Sequence, residues 1–242
     1  MCCDILFPMQ SHITIFTDGA SSGNPGPGGW GTLVRHNDQI TELGAAETRT
    51  TNNRMELKAV LEGLNFVVEQ RLNDQPITLY TDSSYVANGA TAWIKGWKMR
   101  GWTNKMGDPI ANVDIWKDMA DALSNVNVKF VNVSGHSGIP GNERCDGIAT
   151  GFSKNVTVHL YNGKYSEYTV DLENITVDPK MKKSKDRSKA TAFSYLSLVG
   201  GVLKVHSSWN DCKARVEGQK GAKYKKSVSK NDEDTIRRSW GV

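Results

Sequence analysis

No apolar run in the 242-residue sequence approaches the roughly 18 residues that a membrane-crossing helix needs. Cysteine is scarce as well. Cys2, Cys3, Cys145 and Cys212 are spaced neither as metal ligands nor as the framework of a disulfide-stapled domain, so free thiols are expected. Residues 1–11 hold no Lys or Arg and only a short apolar stretch, which does not read as a secretory signal. They are expected as an N-terminal extension, with Met9 as a candidate start and the Cys2-Cys3 pair as part of the terminus rather than a metal or redox site. The glycine-rich stretch Gly19–Gly31 lacks the Gly-Lys-Ser/Thr ending of a nucleotide-binding P-loop. A hydrophobic fraction of 38% with 23% charged residues suffices for a buried core, and the expectation is a soluble, cytoplasmic protein.

Charge of one sign is in the minority in each part of the chain in turn. Residues 1–177 hold 14 Lys and Arg against 19 Asp and Glu, whereas residues 178–242 hold 16 against 7. The net charges of −5 and +9 imply two parts with different work, the basic part suited to a polyanion. The length allows one domain of ordinary size and a smaller one.

Strand patterns begin at His12–Thr17, which stops at Asp18 before a glycine-rich loop. Thr32–His36 and Gln39 to about Thr48 flank the turn pair Asn37-Asp38 and form a hairpin. Leu57, Val60, Leu61, Leu64, Val67 and Val68 recur at helical spacing, with Thr51, Asn52 or Asn53 as N-cap, which puts Glu56 in the first turns. Ile77–Thr81 is a buried strand running into Asp82. Helical patterns follow to about Ser124, broken at Gly96, Gly101 and Gly107-Asp108-Pro109. Val126–Val133 is strand, and the loop SGHSGIPGNE enters a helix near Glu143. Val156–Tyr161 and Lys164–Val170 flank Asn162-Gly163, a second hairpin signal. Residues 178–192 are charged and poor in large apolar side chains, as a linker is. The resulting division is 1–11, 12–152, 153–177, 178–192 and 193–242, with a mixed sheet covered by helices in the second part.

Asp18 and Asp82 stand at strand ends, Glu56 early in a helix, and Asp146 in a helix after a glycine loop. Strand ends and helix starts converge at one edge of an α/β sheet. Carboxylates gathered there repel one another unless hard divalent cations neutralise them, and Mg²⁺ is the natural choice. Any one of the four would pass for a cap or a solvated residue; their combination points to metal chemistry.

The ordered motifs FTDGASSGNPGPGGWG, TTNNRMEL, TDSSYV and GHSGIPGNERCD closely resemble the type 1 ribonuclease H family over about Ile13–Phe152. The resemblance implies an α/β fold with a mixed five-stranded sheet flanked by helices. It also implies hydrolysis of the RNA strand of RNA/DNA hybrids by two Mg²⁺ ions, with Mn²⁺ possible, leaving 5′-phosphate and 3′-hydroxyl ends. Asp18, Glu56, Asp82 and Asp146 would be the metal ligands, and His136 a proton shuttle or product-release group. Gly19, Asn24, Asn52 and Asn53 fall among the substrate contacts, the three asparagines at the 2′-hydroxyls that distinguish RNA. Thr51 and Asn112 would form a DNA-phosphate pocket. One departure is Ser84, where many relatives carry an RNA-contacting Gln. WIKGWKMRGWTNK, residues 93–105, resembles the family's basic protrusion; Trp93 also falls among the substrate contacts, although four-residue spacing reads Trp93 and Trp97 as core.

The stretch SSWNDCKARVEGQKGAKYKKS resembles the hybrid-binding domain of eukaryotic ribonucleases H1 and of viroplasmin, over about Phe193–Trp240. That implies a small α/β module in which Trp209, Lys225 and Lys226 contact nucleic acid, RNA/DNA hybrid first and double-stranded RNA second. A monomer is expected. Two other readings compete: a strand-transfer enzyme such as an integrase, which the TTNNRMEL block disfavours, and a non-catalytic hybrid-binding protein, which four intact carboxylates disfavour.

Overall fold

The computed structural model describes residues 11–176, 191–219 and 221–241, which fall into two compact units divided between residues 178 and 179. The first is built on a six-stranded mixed sheet of β1 (Ile13–Ser21), β2 (Gly26–His36), β3 (Gln39–Thr50), β4 (Pro76–Thr81), β5 (Asn127–Asn132) and β6 (Asn162–Lys164). Its order is β5-β4-β1-β2-β3-β6. β4 pairs in parallel with both β1 and β5, and the remaining pairings are antiparallel.

Strand alternation sends Ile13, Ile15, Ile77 and Leu79 to one face, where they meet α1 (Asn52–Glu69) and α4 (Val113–Leu123) through Leu57, Leu64, Trp116 and Met119. Thr51 caps α1, accepting from Arg54 N–H at 3.4 Å. On the opposite face Phe16, Leu33 and Ile40 meet Cys145 of α5 (Pro140–Ser153), together with Leu172 from the segment that follows. Between β4 and α4 the chain forms α2 (Ser84–Asn88), a π-helical turn at Gly89–Trp93, and α3 (Ile94–Met99). Gly89 admits the Trp116 ring, since a Cβ there would lie 2.1 Å from it.

Three expectations are corrected. β2 starts at Gly26 rather than Thr32, because its glycines form the floor on which α5 lies. A Cβ on Gly29 would sit 2.5 Å from the Ala149 carbonyl oxygen, and one on Gly31 would sit 2.6 Å from that of Cys145. The sheet has six strands, not five. The hairpin about Asn162-Gly163 does not form: that pair lies inside β6, which hydrogen-bonds to Gln39–Thr41 of β3, while Tyr165–Glu167 makes a 3-10 turn. The open edge of β3 supplies the partner that the turn propensity of Asn-Gly assigned to a neighbouring strand.

The second unit is an antiparallel sheet of β7 (Ser194–Val199), β8 (Val202–His206) and β9 (Lys223–Ser227), in the order β8-β7-β9. The helices are α6 (Trp209–Val216), capped by Ser208, and α7 (Lys230–Trp240), capped by Ser229. Gly200 and Gly201, with φ of 58° and 77°, supply the left-handed turn between β7 and β8. Leu196, Cys212 and Ile236 are buried here, and Glu233 is held by Ser194, Lys230 and Arg237 at 2.7–2.9 Å.

The glycine floor makes opposite predictions for two alanine substitutions. Gly31→Ala is expected to destabilise the fold by about 1–3 kcal/mol or more through overpacking against α5. Gly147→Ala, in α5 with nothing within 4 Å of the added methyl, is expected to stabilise by about 0.5–1 kcal/mol. Urea unfolding of the two variants beside the parent chain measures both signs.

Candidate active site

The site gathers at the carboxyl ends of β1 and β4. Asp18, near the end of β1, is only 8% exposed and accepts the Gly19 N–H at 2.7 Å. Gly19 has no space for a side chain, because a Cβ would lie 2.2 Å from the Glu56 nitrogen. That approach brings the first turns of α1, and Glu56 with them, against Asp18. One Glu56 oxygen accepts from Asn52 Nδ2 at 2.8 Å and the other from the Ser83 hydroxyl. Ser83 in turn caps α2, accepting from Val86 N–H at 3.3 Å. Asp82 leaves β4 immediately before it. The backbone of the loop entering α5 lies hard against Asp82: a Cβ on Gly135 would sit 2.0 Å from its Oδ2.

Asp146 faces the same centre from α5, its Oδ1 accepting from Thr150 Oγ1 at 3.1 Å and its Oδ2 lying 3.6 Å from His136 Nδ1. His136 takes a left-handed backbone with φ of 49° and leaves its ring 75% exposed. Ligand-capable atoms of His136, Glu143 and Asp146 all lie within 4.8 Å of one another. Glu143 was not singled out from the sequence. Its signal was the three-residue spacing to Asp146, which places both on one helix face. Ser83 was missed too, since nothing in TDSSYV marks which serine reaches Glu56.

The electrostatics are those of a crowded anionic centre. Burial pushes Asp18 from 3.8 up to about 8, and Asp82, then Asp146 and Glu56, add to the rise against the opposing Gly19 hydrogen bond. Burial raises Glu56 as well, with Asp82 adding, while Ser83 and Asn52 pull the other way. A site that resists its own charge to this degree fits hard cations with oxygen ligands, and all four carboxylates face it.

The other expected site residues are dispersed around this centre. Asn24 is exposed in the turn before β2, Asn53 is exposed in the first turn of α1, and Asn52 is tied to Glu56. Asn112 is left-handed, with φ of 58°, and donates to the Tyr85 hydroxyl at 3.2 Å, as Trp116 Nε1 does at 2.9 Å. Ser84 is exposed at the start of α2. Trp97 packs partly buried on Trp116, but Trp93 is 40% exposed at the rim of the cluster, which corrects its assignment to the core. In the second unit Trp209 is 40% exposed, between the rings of Tyr195 and Tyr224 at 5.8 and 5.5 Å. Register sets Lys226 opposite Tyr195 and Lys225 opposite Leu196, so the two lysines leave β9 on opposite faces. Of the four cysteines, Cys145 and Cys212 are buried free thiols; Cys2 and Cys3 lie outside the described residues. No described helix is long and apolar enough to cross a membrane.

Fold and centre together are those of a metal-dependent nuclease. The RNase H family model matches residues 10–154, and a model described as the ribonuclease H1 N-terminal domain matches residues 198–232. A protein named Ribonuclease H from Cyanothece sp. is 49% identical over 147 residues, covering 60% of this chain and 92% of its own length. A Ribonuclease H from Erythrobacter litoralis is 49% identical over 141 residues, covering 58% of this chain and 95% of its own length. Among solved structures, LC9-RNase H1, described as a type 1 RNase H with the type 2 active-site motif, superposes with a TM-score of 0.57 at 28% identity. That superposition covers 68% of this chain and 83% of the other. The chain belongs to the ribonuclease H family.

The raised Asp18 fixes the sign of a stability change in the metal-free protein. A carboxyl whose folded-state pKa exceeds its unfolded value costs stability as pH climbs from the unfolded to the folded value, here from 3.8 to about 8. Asp18→Asn in EDTA is therefore expected to raise Tm very little near pH 4. The gain should grow towards pH 8, reaching on the order of a few kcal/mol. Thermal unfolding at several pH values reads this directly, and a gain independent of pH would sink the assignment.

Proposed function

We propose that this chain cuts the RNA strand of RNA/DNA hybrids to leave 5′-phosphate and 3′-hydroxyl ends, and that its basic second unit retains the hybrid. The observation carrying this reading is the burial of Asp18 among three other carboxylates at the strand ends. Asp18, Glu56, Asp82 and Asp146 would hold two Mg²⁺ ions, with Mn²⁺ as a substitute. Bound there, such ions activate water at neutral pH and offset charge on the entering and leaving oxygens.

The chain's own groups do the rest. Asp18, the one buried member of the four, would hold metal together with Glu56, Asp82 and Asp146, whose charges all bear on it. Ser83 and Asn52 hold the Glu56 carboxylate in place through hydrogen bonds to its two oxygens. His136, exposed and beside Asp146, would move a proton or escort the product. Gly19 and the carboxamides of Asn24, Asn52 and Asn53 read the minor groove and its 2′-hydroxyls, the contact that selects RNA. Thr51 and Asn112 hold a phosphate of the DNA strand, and Trp93 lies against that strand from the basic protrusion. In the second unit Trp209 offers a flat face, and Lys225 and Lys226 pair with phosphates. The same chemistry admits double-stranded RNA as a weaker ligand of that unit. The protein acts as a monomer in the cytoplasm.

The test uses an end-labelled RNA strand annealed to DNA, with Mg²⁺ or EDTA, beside RNA/RNA, DNA/DNA and single-stranded RNA. Cleavage restricted to the hybrid and to the metal is expected. Removing a shell around a metal ligand already costs 10- to 100-fold, so Asp82→Asn should lower cleavage by more than about 100-fold. Hybrid binding should survive in that variant. A folded chain that binds the hybrid and leaves it intact with both Mg²⁺ and Mn²⁺ would instead be a binding protein.

Trp209→Ala tests the second unit. Loss of one stacking platform is worth about 1–3 kcal/mol, or about 5- to 150-fold in hybrid affinity. The cleavage rate at saturating hybrid should be unchanged, and equal affinity in a filter-binding titration would remove Trp209 from the interface.

A further inference from the structure

The segment after α5 lies beyond the residues matched by the family model, which end at 154, yet it is built into the catalytic unit. Its centre is Glu42 of β3, whose side chain is fully buried. Arg144 of α5 grips both Glu42 oxygens, Nε to Oε1 and Nη2 to Oε2, each at 2.6 Å. The Tyr168 hydroxyl donates to Oε1, and Tyr161 N–H donates to Oε2 at 2.9 Å. Arg144 also donates to the His159 carbonyl at 2.9 Å, and Glu42 N–H to the Tyr161 carbonyl at 2.8 Å. Every acceptor position of the carboxylate is thus used. Burial alone would raise Glu42; the Arg144, Tyr168 and Tyr161 hydrogen bonds outweigh it and leave the carboxyl below its ordinary value. Further along, the Tyr165 ring lies 3.8 Å under the Arg35 guanidinium, and Leu172 is buried with Phe16, Leu33 and Cys145.

We infer that this segment is a brace for the active site, and that Tyr168 and Glu42 are positioning residues that fix the rotation of α5 and so the place of Asp146. The argument is geometric. Arg144 precedes Asp146 by two residues, and two residues turn a helix through about 200°. Arg144 therefore points to the β3 edge while Asp146 points to the centre, and anchoring one orients the other. A side-chain tip lies about 6 Å from the helix axis, so a roll of about 10° moves the Asp146 carboxylate by about 1 Å. Displacement on that scale can cost about 100-fold in rate. Glu143 and the His136 loop, joined to it by the Gly138 N–H to Glu143 hydrogen bond at 3.1 Å, would follow the same roll.

The inference rests on the nuclease reading of Asp146, and the experiment separates the two. Tyr168→Phe removes one hydroxyl and keeps the ring; Glu42→Gln removes the charge. In the full-length, metal-free chain, amide hydrogen exchange over residues 134–150 is expected to quicken in Tyr168→Phe while β1 and β4 keep their protection. Calorimetric titration with Mg²⁺ alone should show at least threefold weaker binding. On hybrid substrate kcat should fall at least threefold with KM within twofold, and Glu42→Gln should do the same more severely. Should Glu42→Gln fail to fold, Tyr168→Phe alone decides. A lower Tm with unchanged exchange, Mg²⁺ affinity and kcat makes the segment merely stabilising and overturns the brace. Failure of the parent chain to cut the hybrid at all overturns the nuclease reading instead.

Discussion

The centre exists because helices are allowed to come closer to strands than side chains ordinarily permit. α1 meets β1 over Gly19, and α5 lies on Gly29 and Gly31 of β2, with backbone or Cβ atoms where a methyl group would otherwise stand. Two of the four carboxylates ride on these helices, Glu56 on α1 and Asp146 on α5, while Asp18 and Asp82 come from the strands beneath. Widening either interface by a methyl group would part the helical carboxylates from the strand carboxylates. Interiors are close-packed and do not absorb such a change by compression. The glycines so prominent in residues 19–31 are therefore a packing device before they are anything chemical.

Two buried carboxylates show opposite solutions to the same problem. Glu42 is fully enclosed and surrounded by donors, which hold it ionised. Asp18 is nearly as enclosed, but its neighbours are other acids, against which the Gly19 amide donates a single hydrogen bond. Desolvation penalises both charges; only the partners differ. The first arrangement is finished as it stands and serves architecture. The second is an arrangement that cations would complete. Such a division, with satisfied charge outside the site and unsatisfied charge within it, is how perturbed groups come to mark functional centres.

Most of this was legible in the sequence, and the parts that were not share a cause. Alternation and helical spacing located β1, β3, α1, β4 and β5 because each buries a face against its nearest layer. Asp18, Glu56, Asp82 and Asp146 could be read because strand ends and helix starts bring particular positions together. β6 escaped because Asn162-Gly163 carries strong local turn propensity, whereas its pairing partner, the β3 edge, lies more than 100 residues away in sequence. Ser83 and the Glu42–Arg144–Tyr168 network escaped for the same reason. A hydrogen bond between distant side chains leaves no periodicity behind. Trp93 shows the reverse error: four-residue spacing marks a helix face, but a short helix projecting from the sheet buries only the part of that face next to Trp116.

Separating grip from chemistry answers an electrostatic conflict. A centre made of four carboxylates repels the phosphates it must cut, and residues 1–177 as a whole carry a net −5. Cations at the centre reverse the sign locally but cannot extend attraction beyond the Debye length, about 8 Å at physiological ionic strength. Long-range attraction has to come from elsewhere, and residues 178–242, with a net +9, are its source. On the proposed function, the aromatic face of Trp209, Tyr195 and Tyr224 would add contacts that salt does not screen, so that retention would not rest on charge alone. Because the two units are joined in one chain, a hybrid held by the second stays at high effective concentration for the first. The catalytic unit is thereby free to keep an acidic centre whose geometry suits metal ions rather than polyanions.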